Sequence, residues 1–555
     1  MMNIFRILVA VVFAAGPIRV RAQYRFIPVH SEMEDRLIGA SLSQLESFRQ
    51  HRQSPERLSA LRLAEGWDTV FSARRYAYFT WSNPEYSGYR KTKFVRGLGM
   101  KRLLGVRGWA HPNRFYVWKQ ENAGDYFAIN PVIDGVYGPK AAGFDEVLLN
   151  GRGAEVMAQM GDDVALYSKV LDYQAVLPAD VQQYQRNRGQ IPGVGMHTTN
   201  FVGFTDYFLA TGYMDVKLLE RRDTGQQLRY NIRATMGYDR QHIGVGYRSL
   251  ILSNVAPPSL FLQVLYRLGP FRYQNIFKEL IRDGSVDLSL AYNKKYLAMH
   301  RGSLVFEKLG LEVGFSESIV QTRPDNRLDW SYFNPIIFYR AVERDLGSPD
   351  NAMIAFDAKW QRGRWMAYGQ LVLDEFHVSK AFTQPESTVN KFAQQLGVYY
   401  RLGSKHWNSA YLNLEYNRVR PHTYSHYSAN HYTHRRQSLA HPLESNFREL
   451  VLRGFLVPRA LPRWSLRFLG LVAWKGYNSR NENFGGDILG NYQTAAGGGN
   501  SVMLSGLFQR RFMGEFDLGY ALQPGMTVAL RWYRYAAEGY QALGSSAVSL
   551  GLRWN

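Results

Sequence analysis

The chain has 555 residues, a formal net charge of +21 and no cysteine. Without cysteine, disulfide bonds and a lipid-modified N-terminal cysteine are excluded, so an exported chain of this size must be stabilised by packing or by an unbroken hydrogen-bond network. Aromatic residues make up 14% of the sequence, there are 50 glycines, and the mean hydropathy is -0.31. This composition favours a large all-β protein and does not suit a helical globule.

The N-terminus predicts export. Arg6 precedes an apolar run at 7–15 that is too short to cross a bilayer as a helix, and Val20-Arg21-Ala22 is a plausible cleavage site. We predict a signal peptide at 1–22, with a buried N-terminal helix as the alternative. An exported protein does not meet genomic DNA, so we expect no nucleic-acid partner. The positive charge indicates anionic surface material such as acidic polysaccharide, unless it only reflects a basic lumen and periplasmic rim.

Residues 31–66 are the one clearly helical region, within a predicted N-terminal segment at 23–66. Apolar residues recur there at helical spacing, and acidic residues stand near the start, where the helix dipole favours them. Ser54-Pro55 reads as an N-cap followed by a first-turn proline, and Gly66 as a stop signal. We predict two short helices.

From residue 67 to 555 the apolar period changes to two, which is typical of β-strands. In 396–402, for example, Leu396 and Val398 alternate with Gly397 and Tyr399. Other segments with this pattern are 230–236, 243–248, 285–294 and 412–416. Short polar turns such as Arg362-Gly363 join several of them. Repeated segments of about ten alternating residues are typical of a transmembrane β-barrel.

The end of the chain fits a barrel. In "SSAVSLGLRWN" the residues Val548, Leu550, Leu552 and Trp554 form one apolar face. A sheet in lipid must close on itself, because each unpaired backbone group costs several kcal/mol. We therefore predict an antiparallel outer-membrane β-barrel of 16–18 strands, with 18 preferred. A soluble β-sandwich or propeller is the alternative.

The inward faces carry charges of both signs, which predicts ion pairs that cross the lumen and fill the barrel. The positive residues are Arg233, Arg248, Lys359, Arg401, Arg531 and Arg553. The negative residues are Asp287, Asp357, Glu415, Glu515 and Asp517.

The stretch "HTYSHYSANHYTHRRQSLAHP", residues 422–442, holds five of the 13 histidines. Two histidine pairs have helical spacing, but no acidic residue or cysteine stands among them, so a metal site is the weaker reading and we predict none. Rings that stack on sugars, interleaved with hydrogen-bond donors, favour carbohydrate contact; a plain polar loop is the alternative. The predicted ligand-binding residues are Tyr424, His426, Tyr432, His434, Arg435 and Arg436.

Residues 331–360 predict a long connection between strands that contains a short helix. In a barrel we expect this connection inside the lumen or across its mouth, where its charges narrow the pore; solvent-exposed charges are the alternative. The residues predicted to form this plug are Asn334, Arg340, Glu343 and Arg344.

Catalysis has little support. The sequence contains no Gly-x-Ser-x-Gly motif, and Ser, His and Asp are too common for chance spacing to carry meaning. We predict no enzyme activity and no cofactor.

Two stretches resemble a known family. "FNPIIFYRAVERDLGSPDNAMIAFD" and "LEYNRVRPHTYSHYSANHYTHRRQSLAHPLESNFREL" are similar to the capsule-assembly Wzi family, in particular its Bacteroidota branch of RemB-type gliding-associated proteins. The resemblance spans roughly residues 115–455. It departs from the family pattern at His422, where tyrosine is usual, and at Glu444, where glycine is expected.

This resemblance implies an 18-stranded barrel with an obstructed lumen and the helical segment 23–66 on the periplasmic side. It also implies a lectin-like role in holding capsular polysaccharide, or a part in gliding or adhesin secretion. We expect a non-enzymatic outer-membrane protein that contacts lipid and binds surface polysaccharide. The rivals are a porin or solute transporter, and an accessory component of a secretion or gliding machine.

Overall fold

The computed structural model describes residues 109–111, 114–119 and 126–554, with gaps at 161–162, 201–202, 223–227, 283–292, 324–326, 335–337, 376–377, 385, 404–405, 428, 498 and 524–525. The predicted signal peptide, the predicted helical segment 23–66 and residues 67–108 lie outside the described residues. Most of the predicted strand at 285–294 lies outside them as well.

The described residues form mainly antiparallel strands. These are β1 (Trp109–His111), β2 (Arg114–Lys119), β3 (Tyr126–Gly138), β4 (Val147–Met160), β5 (Val164–Val176), β6 (His197–Thr199), β7 (Thr205–Arg222), β8 (Leu228–Asp239), β9 (Ser259–Leu268), β10 (Phe271–Ile281), β11 (Lys294–Phe306), β12 (Leu311–Gln321), β13 (Asn351–Arg362), β14 (Trp365–Glu375), β15 (Lys391–Arg401), β16 (Trp407–Val419), β17 (Thr433–His434), β18 (Gln437–Ser438), β19 (Phe447–Pro458), β20 (Trp464–Tyr477), β21 (Leu507–Gln523), β22 (Met526–Gly539) and β23 (Leu543–Trp554). The helices are α1 (Ala179–Arg188), α2 (Tyr339–Leu346) and α3 (Val378–Thr383), with 3-10 turns at Glu307–Leu309, Trp330–Phe333 and Tyr492–Thr494.

The sheet closes into a barrel of 18 strands. Each long strand pairs with its neighbours in the chain, and the last strand, β23, pairs with β3, where Leu550 lies opposite Tyr137 and Trp554 opposite Ile133. The small strands β1 and β2 extend from the N-terminal part of β3, and β6 pairs with the start of β7. The predicted antiparallel barrel and its preferred strand number are confirmed.

The wall has an apolar outer face and a mixed inner face, as the alternation predicts. On β15, Leu396 is 67% exposed, whereas its neighbour Gln395 is 1% exposed and faces the lumen. On β23, Val548, Leu550 and Leu552 are exposed, while Ser549 is buried. Because a closed barrel satisfies all strand hydrogen bonds, its outer face can contact hydrocarbon directly.

Aromatic residues stand on the outer face near both ends of the strands, as in the girdles of outer-membrane barrels. One band includes Trp360, Trp365, Tyr400, Trp464 and Tyr520, with the Trp365 and Tyr400 rings 4.4 Å apart. The other includes Tyr137, Phe208 and Tyr238. Within the described residues, no helix combines the length and the apolar character that crossing a membrane requires.

The two ends of the barrel differ in their connections. At one end the strands are joined by short turns such as 269–270 and 363–364, where Gly363 has φ 60° as the predicted Arg362-Gly363 turn requires. At the other end run the long loops 177–204, 240–258, 322–350, 376–390, 420–446 and 478–506. We call these the short-turn end and the long-loop end. In outer-membrane barrels the long loops face outward from the cell.

Two of the long loops fold into the lumen, and we name them the inserted loop (240–258) and the histidine segment (420–446). Their apolar side chains form one core with inward residues of β10 to β16, β19 and β20, among them Ile276, Leu297 and Val372. A second core joins α1 to the inner faces of β3, β4, β5, β7 and β23. The lumen of the described barrel is therefore packed like a protein interior.

The strand predicted at 243–248 is wrong, because this stretch belongs to the inserted loop. Every second side chain of this stretch, at Ile243, Val245 and Tyr247, does point to the same side. Each of the three, however, packs in a different apolar cluster of the inner wall. The period of two here reflects an extended backbone that crosses the lumen without pairing in the barrel sheet.

The predicted short helix at 339–346 is present as α2, but its predicted place in the lumen is wrong. Tyr339 and Val342 pack with Ala298, Ile319 and other residues on the outer face of β11 to β13. Arg340, Glu343 and Arg344 therefore belong to a loop outside the wall, as does Asn334, and they do not narrow the pore. The helix that plugs the lumen is α1.

Ion pairs are present on the inner wall of the described barrel, but most of them join neighbouring strands and do not cross the lumen as predicted. Arg233 binds Asp215, and Arg301 bridges Asp357 and Glu312, which also accepts from Lys359. Further inward pairs are Arg531–Asp517 and Arg553–Asp134. Most of these pairs lie on adjacent strands and line the wall, whereas Arg248 lies in the inserted loop.

Candidate functional site at the long-loop end

The tip of the inserted loop is held by one carboxylate of the inner wall. Glu415 of β16 accepts hydrogen bonds from the backbone N–H groups of Tyr247 and Arg248, at 2.6 and 3.1 Å, and from the hydroxyl of Tyr368 at 2.7 Å. The Asn417 side chain donates to the same carboxylate at 2.9 Å. Four donors converge on one buried anion, which fixes the tip without any strand pairing.

A second wall carboxylate, Glu449 of β19, binds charged groups from both lumen segments. The Arg248 guanidinium lies 3.2 Å from Glu449, and His441 Nε2 lies 2.8 Å from it. Burial disfavours charge on Arg248, but Glu449 more than offsets this and raises its pKa above the usual value. Burial lowers the pKa of His441 to about 4, although Glu449 opposes the shift.

Two glycines allow the inserted loop to pass so close to the wall. Gly244 has φ 97°, in the region that favours glycine, and a Cβ there would lie 2.3 Å from the Gln370 amide. A Cβ on Gly246 would lie 2.8 Å from both Gln395 Oε1 and Glu415 Oε2. The sequence Gly244-Val245-Gly246 is thus required by close approach to polar wall side chains.

Three lysines from the wall support the irregular backbone of the histidine segment. Lys295 donates to the His431 carbonyl at 3.0 Å, and Lys391 to the Ser425 carbonyl at 3.1 Å. Lys475 donates to the carbonyls of Leu443, Ser445 and Gly486. A buried loop needs partners for its carbonyl groups, and these strand side chains supply them.

The predicted ligand residues Tyr424 and Tyr432 are fully buried. Their hydroxyls donate to the carbonyls of Leu250 and Ile251, at 2.7 and 2.9 Å, so they tie the histidine segment to the inserted loop. The two rings stack with centroids 5.9 Å apart. In this conformation neither ring offers a face to a sugar, and their contact with a ligand stays a prediction that requires the segment to open.

The predicted ligand residues His426 and His434 are also buried. His434 Nδ1 accepts a hydrogen bond from the backbone N–H of Ile281 at 2.9 Å, which docks the segment on the end of β10. Burial lowers the pKa of His434 well below its usual value, and it lowers the pKa of His426 to about 3. Both are neutral at physiological pH.

Arg435 and Arg436 form the tip of the β17–β18 hairpin and are partly exposed at the long-loop end. Both have positive φ, 49° and 62°, which costs about 1 kcal/mol for a residue with a side chain. Lys278 and Lys295 lie near enough to act on His434 with Arg435, so the surroundings are basic. Both side chains are partly exposed, and their contact with a ligand stays a prediction.

The structure adds an aromatic pair that the sequence reasoning missed. Tyr427 is exposed, its ring lies 4.3 Å from that of His426, and the ring of Tyr492 lies 6.2 Å away at right angles. The Lys391 ammonium lies 4.2 Å from the centroid of Tyr492. Tyr427 was within the histidine-rich stretch, but Tyr492 comes from the distant loop 478–506 and gave no local signal.

The two departures from the family pattern fall on strained backbone. His422 and Glu444 have φ 63° and 65°, so the glycine expected at position 444 would be free of strain. In this chain the Glu444 carboxylate binds Arg188 of α1, which also binds Asp487 at 2.8 Å. Glu444 therefore supplies an ion pair that links α1 to the histidine segment.

Metal binding receives no support from the described residues, where no group of three or more His, Cys, Asp or Glu is placed to hold an ion. The histidines of the stretch are used separately: His434 meets the end of β10, His441 meets Glu449, and His431 accepts from the backbone of His426.

The fold and this site define an outer-membrane β-barrel whose lumen is filled by its own long loops. No family sequence profile matches the chain, and no curated protein sequence matches it. Solved barrels do resemble it in fold. Wzi of Escherichia coli, described as a carbohydrate-binding β-barrel involved in group 1 capsule assembly, has a TM-score of 0.45 and 13% identity over 76% of this chain and 83% of its own.

Two Pseudomonas aeruginosa barrels also resemble the chain in fold. OccD3 has a TM-score of 0.41 and 11% identity, covering 78% of this chain and 91% of its own. The outer-membrane protein OprD has a TM-score of 0.39 and 9% identity, covering 77% and 92%. At these identities the likeness concerns the barrel fold alone.

Proposed function

We propose that the chain is a non-enzymatic outer-membrane β-barrel that binds an anionic surface polysaccharide, such as capsule, at its long-loop end. The observation that carries the proposal is the filled lumen: the inserted loop is fixed by Glu415 and Glu449, and the histidine segment by three wall lysines. A barrel closed in this way is suited to binding at its surface and poorly suited to free diffusion of solutes.

The mouth of the barrel has the chemistry that an acidic glycan requires. Arg435 and Arg436 can donate charge-assisted hydrogen bonds to uronate or phosphate groups. Tyr427 and Tyr492 offer aromatic faces for sugar rings. The resemblance of the sequence to the capsule-assembly family agrees with such a ligand.

The test combines two measurements on the purified barrel in lipid bilayers. We expect nearly silent planar-bilayer recordings, and we expect binding to polygalacturonate but not to neutral dextran. The double variant Arg435→Gln/Arg436→Gln should weaken polygalacturonate binding on the order of tenfold, because two partly exposed charge-assisted contacts are lost.

Arg459→Gln is the matched control, since Arg459 is an exposed arginine at the short-turn end. This variant should bind like the parent chain. Open channels together with no binding of either polysaccharide would reject the proposal in favour of a porin or solute transporter, for which the inserted loop would have to leave the lumen.

The narrower reading places the chain in the Bacteroidota branch of the family, with a role in gliding or adhesin secretion. It rests on the sequence resemblance. A deletion strain distinguishes the two readings: loss of movement or secretion with normal surface polysaccharide favours the accessory role, whereas loss of retained capsule favours the anchoring role.

A further inference from the structure

The outer wall of the barrel carries a row of polar residues at membrane level. Asn275, His300 and Glu317 lie directly opposite one another on β10, β11 and β12. Outward residues further along the same strands are apolar, among them Leu304 and Phe315. Polar groups that face lipid without partners are costly, so a polar row on this face requires a cover.

The loop 322–350, which we name the outer flap, supplies that cover. Glu317 accepts hydrogen bonds from the backbone N–H groups of Tyr339 and Arg340, at 2.7 and 2.8 Å. The Tyr339 ring stacks on His300 with centroids 3.8 Å apart, and Asn275 lies 3.1 Å from His300 Nδ1. The flap thus descends along the outside of the wall and binds it through the polar row.

The flap presents large apolar side chains away from the wall. Trp330 is 72% exposed and Phe338 is 64% exposed. Phe333 stacks on the wall residue Phe277 at 4.3 Å, and Phe338 lies beside Phe315. These side chains extend the lipid-facing surface of β10 to β13 outward without interruption.

We propose that the outer flap is embedded in the outer leaflet of the membrane, with Trp330 and Phe338 in contact with lipid. Its continuity with the lipid-facing wall argues for lipid as the occupant of this face. The charged residues of α2 agree with this placement. Arg340 pairs with Glu343 at 2.8 Å, and Arg344 and Asp345 are exposed in the last turn of the helix. This turn leads to the long-loop end of the barrel, where lipid headgroups can contact charged side chains. Lipid contact here is independent of what the mouth binds.

Because the chain has no cysteine, a spin label can be attached at one chosen position at a time. Single-cysteine variants Trp330→Cys and Phe338→Cys carry a nitroxide label in phosphatidylcholine vesicles, and collision with oxygen is compared with collision with a water-soluble nickel chelate. Leu550→Cys is the lipid control, and Arg480→Cys, an exposed position in the loop 478–506, is the water control. We expect both flap labels to resemble the Leu550 label, with oxygen collisions several-fold more frequent than chelate collisions.

Flap labels that behave like the Arg480 label would overturn the proposal. Spin–spin broadening that grows with protein density in the vesicles would overturn it too, because it would identify a second copy of the chain as the occupant. If a cysteine variant fails to fold, quenching of tryptophan fluorescence by brominated lipid serves instead. Brominated lipid should quench a smaller part of the tryptophan fluorescence in Trp330→Phe than in the parent chain. An equal quenched fraction in the two proteins would count against lipid contact of Trp330.

Discussion

At the scale of single residues, buried polar side chains of the wall decide where the inserted loop lies. Glu415 illustrates this, since its carboxylate accepts from two backbone N–H groups at the loop tip and from the hydroxyl of Tyr368. An irregular backbone has no ladder to satisfy its hydrogen bonds, so the wall must supply partners at defined points. Removing one such partner leaves buried donors unsatisfied.

We expect Glu415→Gln to weaken docking of the inserted loop by about 2 to 4 kcal/mol, because an amide replaces a charged acceptor of several donors. Hydrogen exchange at Tyr247 and Arg248 should accelerate on the order of a hundredfold, and bilayer recordings should show brief openings. Glu538→Gln, at an exposed position, should change neither. Unchanged exchange in Glu415→Gln would show that the carboxylate does not hold the loop.

Gly246 gives a second prediction, of steric origin. A Cβ at this position meets the Arg248 carbonyl of the loop itself at 2.7 Å and the Gln395 and Glu415 side chains of the wall at 2.8 Å, so Gly246→Ala should displace the loop tip from its docked position. We expect frequent channel openings and a barrel that still folds. In Gly470→Ala the nearest atoms lie 3.9 Å from the new Cβ, and recordings should stay silent. If neither variant shows channel openings in bilayer recordings, the surroundings of Gly246 accommodate the added methyl group.

At the scale of elements, the histidine segment is held as a neutral, buried unit. Burial lowers the pKa of His422 and of His441 to about 4, and that of His426 to about 3. When the segment opens to water, each imidazole returns towards its ordinary pKa of 6.5. The open state therefore binds more protons than the docked state at mildly acidic pH.

It follows that docking of the segment is fully favoured above about pH 6.5 and weakens as the pH falls towards 4, since depressed histidine pKa values favour the neutral docked form. Hydrogen exchange across 420–446, corrected for intrinsic rates, should accelerate over this range while strand amides stay protected. The variant His422→Asn/His441→Gln should show a shallower pH dependence. An equally steep profile in that variant would exclude these histidines as the cause.

At the scale of the whole molecule, stability depends on closure between β3 and β23 with an apolar outer face. Leu550 lies well inside β23 and is 59% exposed towards lipid. We expect Leu550→Arg to destabilise the barrel by about 1 to 2 kcal/mol, because a charged side chain on the lipid-facing wall is costly and Leu550 lies opposite Tyr137 of the aromatic band at the long-loop end. Urea unfolding in vesicles, followed by gel mobility, measures the loss. Asn481→Arg, at an exposed position in the loop 478–506, is the control and should leave stability unchanged.

The sequence predicted the strands of the barrel wall well, because the alternation of apolar and polar residues along a strand is a local pattern. The segments at 230–236, 396–402, 412–416 and 548–554 alternate in the sequence and form β8, β15, β16 and β23. The same pattern misled at 243–248, where an extended loop inside the lumen also alternates. The alternation also did not predict on which side of the wall α2 lies. The wall is apolar outside and partly apolar inside, so a short amphipathic helix can pack on either face.

For the candidate site, the sequence selected a stretch whose side chains mostly contact other parts of the chain in this structure, and its role in ligand binding stays a prediction. Tyr424, Tyr432 and His434 bind other parts of the chain, and among the six predicted residues Arg435 and Arg436 are the ones that are partly exposed. Their partners in the loop 240–258 and on β10 lie 150 or more positions away in the sequence. No local pattern could have paired them.

What the sequence by itself determined is the closed barrel, since the alternation of apolar and polar residues is repeated strand after strand and lipid admits no open sheet edge. What only the tertiary structure decided is which loops fill the lumen, which loop lies outside the wall and which side chains of the histidine segment stay partly exposed. Those outcomes depend on contacts between residues far apart in the chain, where single wall carboxylates and lysines satisfy a backbone that has no regular hydrogen-bond pattern of its own.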